Sequence, residues 1–198
     1  EQGYKIILVG HKGHPEVEGT AGRVPGGVKV IETVDQVSGL KFSTSERLAY
    51  VTQTTLSVDD TRKIIEALKN KYPTIKGPDT RDICYATQNR QKAVRDLAKY
   101  SDVVLVLGNK NSSNSVRLAE ISSLTGIPTY RISDKNELNL ELIKDYNIIG
   151  ITAGASTPEI LVIDLINYLK ENFASKITVE VLDGEKEKVS FKLPEFIR

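Results

Sequence analysis

The sequence of 198 residues has one cysteine, two histidines, no methionine and no tryptophan, and no long apolar run. Each shortage removes a class of explanation. One cysteine excludes an internal disulfide and fits a reducing, cytoplasmic setting. Without a run approaching a membrane span or the apolar core of a signal peptide, the sequence offers no membrane segment. Charge of one sign is also missing: charged residues make up 27% and the formal net charge is +1. Composition therefore provides neither the basic footprint of a nucleic-acid partner nor a polybasic membrane surface. Neither the glycine-lysine phosphate loop nor the dinucleotide glycine fingerprint occurs, so mononucleotide and nicotinamide readings lack their motif. Methionine is absent even from position 1, and Glu1-Gln2-Gly3-Tyr4 leads straight into a strand. The chain reads as a piece of something longer.

What is present is a regular alternation of short β-branched runs with amphipathic stretches, the pattern of βα units building mainly parallel sheets. Strands are expected over residues 5–9, 28–32, 48–52, 82–85, 102–107, 128–132 and 147–152, with helices starting at Pro15, Val34, Asp59, Asn89, Ser115, Glu137 and Thr157. The third helix is the clearest, because Ile64, Ile65 and Leu68 share one face and Ser57 or Asp59 can cap it. Two prolines and a glycine in Tyr72-Pro73 through Gly77-Pro78 interrupt both periodicities. The expected organisation is two small α/β domains, 1–80 and 81–172, the second with four strands. A tail, 173–198, follows, in which Ile177, Val179 and Val181, then Val189, Phe191 and Leu193, alternate about an Asp183-Gly184 turn as a hairpin would.

In a parallel α/β sheet the ligand crevice forms at the carboxyl ends of the strands, and there the unusual residues gather. After the first strand comes Gly10-His11-Lys12-Gly13-His14-Pro15-Glu16. His14 could hold a phosphate oxygen and Glu16 could carry a proton, or both could serve the start of a helix. After the third comes Thr52-Gln53-Thr54-Thr55-Leu56-Ser57, with more hydroxyls than one helix cap needs. Cys84 lies just ahead of a helix, where backbone N–H groups and the helix dipole favour thiolate, the form that attacks electrophiles or ligates soft metal. The competing reading is a passive, small, buried side chain. Gly108-Asn109-Lys110-Asn111-Ser112-Ser113-Asn114 and Thr152-Ala153-Gly154-Ala155-Ser156 each open a helix with small polar residues, as caps do and as anion cradles do. Two cradles suit a diphosphate. A thiol hydrolase would need a base beside Cys84, and His14 is its one candidate.

Taken together, His14-Pro15-Glu16-Val17-Glu18-Gly19-Thr20, Thr52-Gln53-Thr54-Thr55-Leu56-Ser57, Asp82-Ile83-Cys84 with Ala86-Thr87 and Arg90-Gln91, Lys110-Asn111-Ser112-Ser113-Asn114, and Thr152-Ala153-Gly154-Ala155-Ser156 resemble the 4-hydroxy-3-methylbut-2-enyl diphosphate reductases. These enzymes perform the last step of the non-mevalonate isoprenoid route. The resemblance implies the second and third of three α/β domains around a 4Fe–4S cluster, with the N-terminal domain missing. By it, Cys84 resembles one of three cluster ligands, Glu16 the proton source, and Thr54 a hydroxyl that positions substrate and relays the proton. His14, Ser112, Ser113, Asn114 and Ser156 resemble the diphosphate pocket.

The reaction so implied is reductive dehydroxylation of an allylic diphosphate to isopentenyl and dimethylallyl diphosphate, with electrons from a donor such as ferredoxin or flavodoxin. A three-cysteine site needs three cysteines, and one is present. The expectation is accordingly a fragment that is inactive alone and completed by an N-terminal domain. The alternative is a non-redox α/β module that captures a phosphorylated metabolite, with Cys84 a passive thiol.

Overall fold

The computed structural model describes residues 3–43, 45–173 and 177–184. Its strands form two three-stranded parallel sheets flanked by helices, the α/β class expected. The first half comprises β1 (Lys5–Val9), α1 (Pro15–Ala21), β2 (Val28–Ile31), α2 (Val34–Ser38), β3 (Leu48–Thr52) and α3 (Val58–Lys71). The second comprises α4 (Tyr85–Ala98), β4 (Val103–Leu107), α5 (Ser113–Ser123), β5 (Thr129–Ile132), β6 (Ile149–Ala153) and α6 (Glu159–Asn172). Strand orders are β2-β1-β3 and β5-β4-β6, so the first strand of each half takes the centre. Among the described residues no helix is long and apolar enough to cross a membrane.

The central strands explain the layering. All five residues of β4, Val-Val-Leu-Val-Leu, are buried, as helices covering both faces of a parallel sheet require. Its period of two divides them: Val103, Leu105 and Leu107 meet Leu165 and Leu169 of α6, while Val104 and Val106 meet Val94 and Leu118. In the first half, Ile64, Ile65 and Leu68 of α3 join Ile7 and Val9 in one core. Each such side chain fully removed from water contributes about 1.5–3 kcal/mol. Ser57 caps α3 by accepting the Asp60 N–H at 3.2 Å, and acids in the first turn and lysines in the last complement the dipole.

The expected strand over 82–85 does not form, and the second sheet has three strands rather than four. Ile83 is its one buried apolar residue, plugged into the core of the first half, and the backbone there turns, with Ile83 N–H bonded to Thr80 O at 3.1 Å. Helix α4 consequently begins at Tyr85 rather than Asn89. The helix expected from Glu137 is two short 3-10 turns, Lys135–Glu137 and Leu140–Leu142. The side chains of Asp134 and Asn139 accept from N–H groups two residues on, so local capping outcompetes a longer helix. Of the expected terminal hairpin, residues 177–184 carry no regular secondary structure, and the second arm, with Val189, Phe191 and Leu193, lies outside the described residues.

Between the halves the chain is stitched to the edge of β3. Tyr50 N–H donates to Lys76 O at 2.8 Å and Lys76 N–H to Leu48 O at 3.1 Å. The buried Tyr50 then donates its hydroxyl to Asp79 Oδ1 at 3.1 Å and accepts the Asp79 N–H at 3.2 Å. Asp79 adopts a left-handed backbone, φ 59°, and pairs with Lys69. Further ties cross between the halves: Arg95 to Asp59 at 2.5 Å and Arg117 to Asp60 at 2.6 Å. Burial opposes ionisation of Asp60, yet the Ser57 hydroxyl and the Arg117 guanidinium hold its pKa below the ordinary carboxylate value.

Two predictions follow from this seam. A Cβ at Gly77 would lie 2.3 Å from the Tyr50 ring, so Gly77→Ala should destabilise the chain by about 1–3 kcal/mol in urea unfolding. The Lys69 and Tyr50 hydrogen bonds lower the Asp79 pKa, so its contribution is complete above the unfolded-state value and is lost as pH falls through the folded one. Asp79→Asn should therefore unfold more easily than the parent at neutral pH, with the difference vanishing well below about pH 3.9, as urea midpoints against pH would record.

Candidate functional site

Strand β1 is followed by Gly10, where any Cβ would strike Val17 Cγ2 at 2.6 Å, and the chain turns through Gly13 at φ +78°. His14 then caps α1, its Nδ1 accepting the Glu16 N–H at 3.2 Å. An accepting Nδ1 leaves the proton on Nε2, which donates to Ser113 Oγ across the two halves at 2.6 Å. The Ser113 hydroxyl proton remains available to a ligand. Capping through Nδ1 and a donor chain to a ligand through Nε2–H and Ser113, alternatives in the sequence, are thus compatible at His14.

Glu16 reaches the loop after β3. Its two oxygens accept from Thr54 N–H at 2.8 Å and Thr54 Oγ1–H at 3.0 Å. The carbonyl of the same threonine accepts the Cys84 N–H at 3.1 Å. Cys84 is exposed, occupies the N-cap of α4 without a side-chain cap bond, and no acidic residue shares the first turn. Ser113, His14, Glu16, Thr54 and Cys84 therefore form one continuous string drawn from four distant segments.

The remaining candidates sit around the N-terminus of α5. Ser112 caps that helix, accepting Ser115 N–H at 3.3 Å and Ser115 Oγ–H at 3.1 Å. Ser115 is fully buried because Gly108 and Gly154 have no side chains: a Cβ on either would come within 1.9 or 2.3 Å of its oxygen. The two expected cradles are thus a single surface, closed by Gly154 N–H to Leu107 O at 2.8 Å. Asn114 is only 6% exposed, and neither its amide nitrogen nor its oxygen has a hydrogen-bond partner among the described residues. Ser156 is exposed and lines a cavity of about 210 Å³ with Gly108 and Asn109, and among the described residues it makes no hydrogen bond to the other candidates.

Several positioning groups were not assigned from sequence. Gln91, buried in α4, accepts the Val58 N–H at 3.2 Å and donates to Leu56 O at 2.7 Å, anchoring the loop that carries Thr54. Gln53 accepts the His11 N–H at 3.0 Å and donates to Thr55 Oγ1 at 3.0 Å. Asp82 accepts the Thr52 N–H at 3.0 Å, and Arg90 donates to Ala153 O at 3.0 Å. One signal for Gln91 was available: Thr87, Gln91, Val94 and Ala98 recur at helical spacing, so an amide stands on a buried stripe.

As a metal site the chain alone does not suffice. Among the described residues no three His, Cys, Asp or Glu side chains converge as ligands, and the sequence has one cysteine. One thiolate cannot hold a four-iron cluster.

The buried unpartnered amide yields a prediction. A structural asparagine destabilises when lost, whereas one left without protein partners costs free energy in the empty protein. Asn114→Leu should raise the unfolding free energy by about 1–2 kcal/mol in chemical denaturation.

Residues 1–170 match the family model described as LytB protein. A protein named 4-hydroxy-3-methylbut-2-enyl diphosphate reductase 2, from Bradyrhizobium diazoefficiens, is 53% identical over 193 residues, which cover 98% of this chain and 62% of that protein. The reductase so named from Zymomonas mobilis is 50% identical over 196 residues, covering 99% of this chain and 57% of its own length. The solved structure of the E-1-hydroxy-2-methyl-but-2-enyl-4-diphosphate reductase from Plasmodium falciparum superposes with a TM-score of 0.90 at 38% identity, covering 98% of this chain and 61% of that one. The chain spans about three fifths of the length of these relatives.

Proposed function

The chain belongs to the LytB protein family, and from that premise we propose that it is the substrate-holding and proton-delivering part of a 4-hydroxy-3-methylbut-2-enyl diphosphate reductase. The observation that carries this reading is the string Ser113–His14–Glu16–Thr54–Cys84, which gathers one thiol, one carboxylate and several neutral donors from distant segments. Residues 1–80 and 81–172 act as two domains whose facing loops make the pocket.

In this reading the hydroxyls of Ser112, Ser113 and Ser156 donate to the diphosphate, His14 serves it through the Nε2–H that it gives to Ser113 Oγ, and the Asn114 amide acquires its partners there. Donors fixed before the anion arrives stabilise it without reorganisation. Glu16, held by both groups of Thr54, delivers a proton to the allylic carbon, and the Thr54 hydroxyl relays it. Cys84 would supply one thiolate to the 4Fe–4S cluster of the complete enzyme, which would deliver the two electrons that remove the substrate hydroxyl as water. The other thiolates belong to the part of such reductases that this chain does not cover, and the chain alone turns over nothing. The electrons come from a carrier such as ferredoxin or flavodoxin.

The test joins this chain to an N-terminal domain bearing two cysteines, with iron and sulfide reconstituted anaerobically. Visible absorption of the cluster and turnover of the allylic diphosphate are expected. Cys84→Ser should abolish the absorption, whereas Glu16→Gln should keep it and lower turnover at least about 100-fold. A Cys84→Ser protein with full iron content would overturn the ligand assignment. The unpaired amide of Asn114 also favours a second reading, a non-redox module for a phosphorylated metabolite. Tight binding of inorganic pyrophosphate by the chain alone would support that module.

A further inference from the structure

A cavity of about 480 Å³ opens between the two halves, and neither Glu16, Thr54 nor Cys84 lines it. Its volume is that of a small-molecule site, and it lies where the loops leave β1, β2 and β3, the crevice position of a parallel sheet. Val9, Leu56 and Ile64 from the first half and Val116 from α5 give it apolar walls.

The charges around it decide what it can hold. Glu32, Asp60 and Glu120 face Lys63, Lys110 and Arg117, so the lining carries as many cations as anions. Most are already paired, and Arg117 also keeps a buried Nε–H without a partner among the described residues. Arg117 binds Asp60 at 2.6 Å and Glu120 at 2.8 Å, and Lys63 approaches Asp60 at 3.6 Å. Glu32 has the His11 ring 3.6 Å away, and Lys110 pairs with Glu137 at 2.8 Å. The lining charges balance, so a charged ligand would lose its hydration for little net attraction, whereas a neutral acceptor could take the Arg117 Nε–H. Hydroxyls, in contrast, are on offer. Thr33 caps α2 without using its side chain, and Thr55 accepts from Gln53 and so keeps its own proton to donate.

We propose that this cavity is a second binding site, for an uncharged and largely apolar molecule that carries a hydrogen-bond acceptor. It differs in chemistry from the anion surface around Ser112 and Asn114 and does not depend on the reading of Cys84. Ser113 alone joins the two, lining the cavity while accepting from His14. Because both halves contribute walls, an occupant bridges them and stabilises the folded chain by mass action.

The probe is quinoline, neutral at pH 7.5 and bearing one ring acceptor, compared with quinoline-6-carboxylate. In amide NMR titrations of this chain, quinoline should shift Thr33, Leu56 and Val116 with half-saturation on the order of 1 mM, as expected of a fragment of that size. The carboxylate should bind at least about tenfold more weakly, losing hydration for little net attraction. Val116→Phe fills the cavity and should remove the response with the spectrum otherwise preserved. Thr33→Trp, at the exposed rim, provides the same test if Val116→Phe does not fold. No shift at these residues by about 10 mM quinoline would overturn the site, as would shifts that survive in a folded variant or equal affinity for the carboxylate.

Discussion

The arrangement depends on one threonine gripped from two directions. Thr54 gives its N–H and hydroxyl to Glu16 and its carbonyl to the Cys84 N–H, so a carboxylate from the β1 loop and a thiol from the start of α4 are referenced to the same residue. Side-chain and backbone bonds share the task. Two bonds from one residue fix the Glu16 carboxyl group, and the backbone bond to Cys84 survives any side-chain change at that position. Gln91 holds the same loop from beneath by pairing Val58 and Leu56. Without that buried amide, the loop would present two unsatisfied backbone groups to the interior, and Thr54 would lose its footing.

Around the second sheet the governing constraint is steric. Gly108 and Gly154, at the ends of neighbouring strands, let Ser115 sink to full burial, which seats α5 directly against the carboxyl edge of β4 and β6. That seating turns two polar loops into one surface and leaves Asn114 buried beside it. The cost of an unpaired amide is tolerated because the helix it belongs to is fixed by other means.

Most strands were legible in sequence because period-two and fully apolar runs have few alternatives: β1 and β3 fall on the residues expected, and β4 differs by one. The segment over 82–85 misled because Ile83 beside Tyr85 mimics a short strand, while no neighbouring strand exists to pair with it. The candidate site was legible where a residue's chemistry is unusual for its loop, as with Cys84, Glu16 and His14. It was illegible where the role depends on a partner chosen by tertiary packing. Gln53 and Gln91 are ordinary residues in a sequence, and only the fold shows that each amide closes a loop. Ser115 read only as the start of a helix, since its burial requires two glycines from separate strand ends to meet.

The seam between the halves has a geometric consequence. Residues 76–79 are fastened to β3 and Tyr50, and Cys84 N–H is fastened to Thr54, although the helix that Cys84 begins packs with the second sheet. The sulfur therefore travels with the first half. A swivel of the second half about the opening turn of α4 would have to release the Gln91 and Arg95 ties to the first half, and it would alter the span from sulfur to the serine-rich surface while the span from sulfur to the Glu16 carboxylate stays constant.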